Sequence, residues 1–128
     1  MSGRVVHFEI PYDDGDRARR FYAEAFGWQS QGIPEMGYTL VTTGPSGREG
    51  PAEPGFINGG LMGRSVSPSP APIVIIAVDS IAATLTTVEA LGGSTVSPRR
   101  PVGEMGFAAY VTDPEGNVLG LWEAASRG

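Results

Sequence analysis

This sequence of 128 residues contains no cysteine and no lysine. Without cysteine, disulfide bonds, thiolate nucleophiles and thiolate metal ligands are excluded. All nine basic residues are arginine, so no lysine amine is available for a Schiff base or for general-base catalysis. Acid–base and ligand chemistry must therefore come from carboxylates, tyrosines, the backbone and a single histidine.

Charge and hydropathy limit the partners that we expect. The formal net charge is -5, and no arginine-rich run with interleaved aromatic residues is present, which argues against nucleic acid. The most apolar run, residues 73–78, is far shorter than the ~20 residues of a membrane-spanning helix, and His7 and Glu9 interrupt the only candidate signal region. We therefore expect a cytoplasmic protein that binds neither nucleic acid nor membranes.

The chain contains two similar segments, each a strand-like run followed by a helix-like run. The first takes 20 residues from His7 to Gly27, and the second takes 19 from Ile73 to Gly92, so the two are nearly in register. A chain of this length with 41% hydrophobic residues forms one core, which predicts a single domain, 1–128. Its predicted parts are module one (4–63), a linker (64–72) and module two (73–123).

Alternation predicts a first strand with an apolar face toward the core and a polar face that carries His7 and Glu9. The apolar face consists of Val6, Phe8 and Ile10. Asp14 or Asp16 is a suitable N-cap for the helix that follows, and Gly27 ends it in a left-handed conformation. The apolar face of this helix, expected to pack on the sheet, contains Ala18, Phe21, Tyr22 and Ala25.

Three further strands follow the helix in each module, and the second helix is predicted over 80–91. The strands span 28–33, 38–43 and 56–62 in module one and 94–97, 106–112 and 117–123 in module two. The connection 44–55, rich in glycine and proline, is expected to be a mobile surface loop. Each module therefore has the order βαβββ.

Local motifs at matching places in both modules resemble those of one family. In module one they are His7, Asp16-x4-Phe21-Tyr22 and Phe26-Gly27-Trp28, and in module two Val78-Asp79, Leu91-Gly92-Gly93 and the turn Asp113-Pro114-Glu115-Gly116-Asn117. Together with the element order, they make nearly the whole chain resemble the vicinal oxygen chelate superfamily. This superfamily includes glyoxalase I, bleomycin-resistance proteins and extradiol dioxygenases.

The resemblance implies an α+β fold in which a mixed sheet from both modules forms a cup, with the helices outside, and a homodimer. Family enzymes bind a metal ion through a histidine on each first strand and a carboxylate on each fourth strand. His7 matches one of these positions, whereas Ile73, Gly60 and Gly120 occupy the other three and offer no donor. Because a catalytic divalent metal needs about three ligands, we expect no metal site and no cofactor, with a divalent metal at His7 as the alternative.

His7 and Glu9 are the candidate catalytic residues. Two positions apart on one strand face, they suit a general base with an orienting carboxylate, or else a polar pair on a solvated sheet face. Large side chains are candidates to bind a substrate in the cup, or else belong to the core or to a dimer interface. They are Tyr38, Met62, Tyr110 and Trp122.

Three functions follow from these features. The first is a metal-free protein that binds a small apolar or aromatic organic molecule in its cup. The second is a lyase, isomerase or dioxygenase of small carbonyl compounds that uses His7, with Glu104 as a further ligand if a metal takes part. The third is a partner module whose cup is filled by its own side chains.

Overall fold

The computed structural model describes residues 3–125. The fold is α+β with two βαβββ modules, as predicted. The chain divides into two compact units, of which one holds His7–Pro72 and the other holds the residues up to Val6 together with those from Ile73 onward. Within the described residues, neither helix has the length and apolarity needed to cross a membrane.

Module one forms a mixed four-stranded sheet in the order β2-β3-β6-β1, with β1 parallel to β6 and the other pairs antiparallel. Its elements are β1 (Val5–Tyr12), α1 (Gly15–Phe26), β2 (Gln29–Ile33), a 3-10 turn (Pro34–Met36), β3 (Tyr38–Thr42), β4 (Ser46–Gly47), β5 (Gly50–Pro51) and β6 (Asn58–Gly63). The short strands β4 and β5 pair only with each other among the described strands. The connection 44–55 therefore contains a hairpin rather than structureless chain.

Helix α1 begins and ends as predicted, but its buried face is narrower. The Asp14 side chain accepts a hydrogen bond from the Arg17 amide, and Gly27 is left-handed with φ 75°. The expected burial of Phe21 is wrong, because its side chain is 56% exposed. Trp28, which follows the helix, stacks on Tyr22 with ring centroids 4.8 Å apart.

Ala25 is exposed as well, and no residue of α1 is fully buried. Trp28 also packs against Phe8 of β1, with ring centroids 5.4 Å apart. An aromatic side chain outside the helix thus links the apolar face of β1 to α1. Periodicity within the helix could not reveal this contact, since it reports only which helical residues share a face.

Module two repeats this topology, with strand order β7-β10-β9-β8 and with β7 parallel to β10. Its elements are β7 (Ile73–Ala77), α2 (Ile81–Ala90), β8 (Ser94–Val102), β9 (Gly106–Thr112) and β10 (Val118–Ala124). A buried cluster of Ile81, Ala109, Val111 and Leu121 joins α2 to the sheet. The N-terminus of α2 is capped by Ser80, and the Glu123 carboxylate accepts a hydrogen bond of 2.8 Å from the Ile81 amide.

The largest differences from the predicted strand boundaries are in β8 and β6. Strand β8 extends to Val102 rather than residue 97, because an end strand with two register irregularities tolerates Pro98 and Pro101. Strand β6 begins at Asn58 rather than at Phe56. The ring of Phe56 instead covers Gly44, where an added Cβ would lie 2.8 Å from a ring carbon.

Candidate functional site

Five positions of module one converge on one face of its sheet. Residues His7 and Glu9 on β1 share this face, and the register pairs Glu9 with Gly60 of β6. Gly60 and Met62 alternate with outward neighbours on β6, and Met62 is paired with Tyr38 of β3. Gly60 and Met62 therefore share the face of the sheet that carries His7 and Glu9.

A hydrogen-bonded chain connects three of these side chains. The Nε2 atom of His7 lies 2.8 Å from the Tyr38 hydroxyl, and that hydroxyl donates a hydrogen bond of 2.9 Å to Oε2 of Glu9. Glu9 is only 8% exposed, so its carboxylate is one of the few buried charged groups in the described chain. Tyr38, predicted as an apolar contact for a ligand, is thus also the polar link between the two candidate catalytic residues.

Gly60 makes this arrangement possible. A Cβ added to Gly60 would lie 1.9 Å from the Tyr38 hydroxyl oxygen and 2.1 Å from its ring carbon Cζ. The phenol therefore crosses β6 where any other residue would place its side chain. The resemblance assigns a metal-binding carboxylate to this position, and here the tyrosine hydroxyl occupies that space.

The corresponding position of module two is also filled. A Cβ on Gly120 would lie 2.3 Å from the Cδ1 atom of Ile75. Ile73, which stands where the second histidine is expected, is 1% exposed and packs with Ile75 and Tyr110. Apolar side chains thus surround both of the module-two positions that the resemblance assigns to metal ligands.

The donor set does not fit a metal ion. Among residues 3–125, no group of three or more histidine, cysteine, aspartate or glutamate side chains is arranged to hold one. Glu104, suggested as a further ligand, belongs to no such group. A catalytic metal generally needs about three protein ligands, so no reaction step is assigned to a metal here.

The two remaining predicted ligand contacts belong to module two. Tyr110 is 4% exposed and packs on Ile73 and Ile75, and Trp122 lies against the same cluster. The guanidinium carbon of Arg100 lies 5.9 Å from the centre of the Tyr110 ring. A ligand contact at Tyr110 or Trp122 stays a prediction.

Sequence reasoning missed Asn58. This residue lies on β6, opposite His7 in the strand register. Its side-chain oxygen accepts a hydrogen bond of 2.9 Å from the Thr43 amide, and its nitrogen donates one of 2.8 Å to the Ser46 hydroxyl. These contacts attach the start of the 44–55 connection to the strand that carries Gly60. No local pattern signals this role, because it depends on which strands become neighbours.

Burial controls the ionisation of His7. The loss of solvation lowers the pKa of His7 below its ordinary value of 6.5, and the nearby Glu9 carboxylate opposes that shift only in part. The imidazole is therefore neutral at neutral pH. A neutral imidazole is able to accept a proton, which a general base requires.

Protonation of His7 is expected to destabilise the fold. Because the pKa is lower in the folded chain than in the unfolded chain, the unfolded state binds more protons between these two values. The free energy of unfolding should therefore fall as the pH decreases below 6.5 and be unaffected by His7 above it. The single histidine gives one set of imidazole resonances, so an NMR titration reads its midpoint directly, and we expect a value below 6.5.

A His7→Gln variant provides the control for this prediction. Its amide can still donate a hydrogen bond to Tyr38 but does not titrate. Between about pH 7.5 and about pH 5.5, the free energy of unfolding measured with urea should fall more for the natural chain than for the variant. Equal decreases, or an NMR midpoint at or above 6.5, would contradict the assigned burial effect.

Sequence comparisons show which known proteins this chain is similar to. The family model described as Bleomycin resistance protein-like N-terminal matches residues 4–44. CFP32 of Mycobacterium tuberculosis and that of Mycobacterium bovis, whose name marks them as candidate glyoxylases, are each 30% identical to this chain over 129 aligned positions. The alignment covers 91% of this chain and 44% of each relative, so the chain spans less than half the length of these curated relatives.

Solved structures share the fold over nearly the whole chain. Streptomyces coelicolor methylmalonyl-CoA epimerase in complex with 2-nitronate-propionyl-CoA has a TM-score of 0.67 at 15% identity, with 98% of this chain and 100% of that chain covered. The Mycobacterium tuberculosis methylmalonyl-CoA epimerase has a TM-score of 0.61 at 16% identity, with 95% and 88% covered. At such low identity these similarities show the fold alone.

Proposed function

We propose that this chain, which belongs to the vicinal oxygen chelate superfamily, binds a small organic molecule without a metal ion, because the Tyr38 hydroxyl fills the space where the family places a metal-binding carboxylate. The observation that carries this proposal is the Tyr38 hydroxyl, which lies over Gly60 and contacts both other side chains. Hydrogen-bonding groups beside apolar ones are typical of sites for small molecules.

The site suggests a ligand with a polar group and an apolar or aromatic body. The polar group would bond to His7, and the apolar body would contact Met62 and the neighbouring face of β3. Methylmalonyl-CoA epimerase, whose fold is similar, is known in complex with methylmalonyl-CoA, which supports a small-molecule role for this fold. We also propose a homodimer, a cytoplasmic location and a ligand contact by Tyr110 and Trp122.

A metal-free isomerase or epimerase is the second candidate. The lowered pKa of His7 favours it, because a neutral imidazole could take a proton from the carbon next to a carbonyl group. The electron pair of the broken C–H bond would pass to the carbonyl oxygen, and return of the proton to carbon would complete the isomerisation. Glu9 would stabilise the resulting imidazolium through Tyr38.

Ligand binding tests the first proposal. We would screen a library of small organic compounds against the natural chain in the presence of EDTA, using the imidazole resonances of His7 as the signal. Compounds that bind at the site should shift these resonances, and Tyr38→Phe should weaken binding by about 10-fold, because His7 loses the hydrogen bond that holds its ring in place for the ligand. Tyr22→Phe is the matched control, since the Tyr22 ring stacks on Trp28 away from His7.

Two results would contradict the proposal. One is that no compound shifts the His7 resonances. The other is that binding occurs only when a divalent metal is added and disappears with EDTA.

To separate the binder from the isomerase, each bound carbonyl compound would be incubated in D2O. Deuterium incorporation at the carbon next to the carbonyl, lost in His7→Gln, would establish the second candidate, whereas binding without exchange would support the first.

A further inference from the structure

We infer that His7 offers its Nδ1 lone pair to the ligand and that Tyr38 and Glu9 fix this tautomer. The ligand would then be a hydrogen-bond donor or a carbon acid at the atom that meets His7. This inference deepens the proposed function and rests on it for the existence of a ligand. The tautomer itself can be measured on the ligand-free protein.

The number of protons available to the hydrogen bonds among His7, Tyr38 and Glu9 leads to this assignment. A tyrosine hydroxyl carries one proton, and Tyr38 donates it to the Glu9 carboxylate. The 2.8 Å contact between the same hydroxyl and Nε2 of His7 then needs a proton from the imidazole. A neutral imidazole has one N–H, so when it lies on Nε2 the other nitrogen, Nδ1, keeps its lone pair.

The Nδ1 atom is also open to a ligand. In the described chain, His7 forms its hydrogen bond through Nε2, and no second one involves its ring. Every fully buried side-chain nitrogen or oxygen in that part of the chain has a hydrogen-bond partner. Since Nδ1 has none, it is not fully buried, and this is the ring atom at which we expect the ligand.

The negative charge of Glu9 also favours a ligand that donates a hydrogen bond or a proton to His7. A proton transferred to Nδ1 makes the ring positively charged, and the hydrogen bonds through Tyr38 connect this charge to the Glu9 carboxylate. A ligand carboxylate at this point would instead face the lone pair and the negative charge of Glu9. We therefore expect hydroxyl, amide N–H or acidic C–H groups at His7 and disfavour groups that only accept hydrogen bonds.

Tyr38 acts through His7 and is a positioning residue in this scheme. Its position depends on Gly60, because a side chain there would displace the phenol and release the tautomer. Loss of the Tyr38 hydroxyl should therefore change the protonation pattern of the His7 ring even when the fold is intact. A purely structural role for Tyr38 would not produce that change.

The test is a long-range nitrogen–proton NMR spectrum of 15N-labelled, untagged protein at about pH 8, where histidine is neutral. The single histidine makes assignment direct. In the natural chain we expect protonated Nε2, unprotonated Nδ1 and an observable Nε2 proton that exchanges slowly with water. Protonation of Nδ1 in the natural chain would overturn the inference.

Two variants strengthen this experiment. In Tyr38→Phe the slowly exchanging proton should be lost and the Nδ1–H fraction should rise, while Tyr22→Phe keeps the natural pattern. If Tyr38→Phe does not fold, Glu9→Gln replaces it: its amide nitrogen can donate to Tyr38 and free the phenol proton for Nε2, so the Nδ1–H fraction should again rise. A pattern that no folded variant changes would overturn the positioning role.

The ligand class has its own probe pair, phenol and anisole, which share an aromatic ring and an oxygen, although only phenol can donate a hydrogen bond. Phenol should shift the His7 resonances more than anisole at equal concentration. Equal shifts, or none from either compound, count against the assigned ligand class. A correct tautomer with no bound compound in any screen would leave the tautomer standing and remove the proposed function, so the two failures are distinguishable.

Discussion

Replacing Gly60 by alanine should destabilise the protein by about 3 kcal/mol, which combines the cost of overpacking with the loss of hydrogen bonds to a buried carboxylate. The added methyl carbon would lie 1.9 Å from the Tyr38 hydroxyl oxygen, so the phenol must leave its position. Glu9, which is 8% exposed, then loses the hydrogen bond that Tyr38 donates. Urea unfolding measures the change.

Gly32→Ala is the matched control for this substitution. Gly32 lies on β2 of the same module, and a Cβ there meets no atom within 4 Å. This variant should be neutral or slightly stabilising, because alanine restricts the unfolded chain more than glycine does. In a Tyr38→Ala background, where the ring is gone, Gly60→Ala should cost less than about 1 kcal/mol. A full cost in that background would show that Tyr38 is not the group displaced.

Replacing Ile81 by alanine should cost about 2–5 kcal/mol, the usual range when a large aliphatic side chain is removed from a packed core. Ile81 is the first residue of α2 and is completely buried against Ala109, Val111 and Leu121. The cavity would lie where the helix meets the sheet. Thermal or urea unfolding of the protein is the readout.

Two further variants test the cause of this loss. Ile81→Val keeps most of the volume and should cost about 0.5–1.5 kcal/mol. Val74→Ala removes an aliphatic side chain that is 42% exposed on β7, so its effect should be well below that of Ile81→Ala. Similar losses at Val74 and Ile81 would mean that the packing beneath α2 contributes little to stability.

Local patterns identified the modular fold because strand alternation and helix capping, the two signals used, depend only on residues close in sequence. Alternation showed which residues of β1 share a face, and Asp14 and Gly27 marked the ends of α1. The same reasoning failed for Phe21, which is exposed, and it did not reveal that Trp28 from outside the helix stacks on Tyr22. Helical periodicity contains no information about Trp28.

The sequence by itself determined the βαβββ order of each module, the family resemblance, the restriction of chemistry to one histidine, and the presence of His7 and Glu9 on one strand face. Only the tertiary structure decided that Tyr38, some thirty residues away, joins them through its hydroxyl and that Gly60 provides the space. The physical reason is that strand pairing sets which residues lie opposite one another. A hydrogen-bonded site built across β1, β6 and β3 depends on that pairing, which no local pattern encodes.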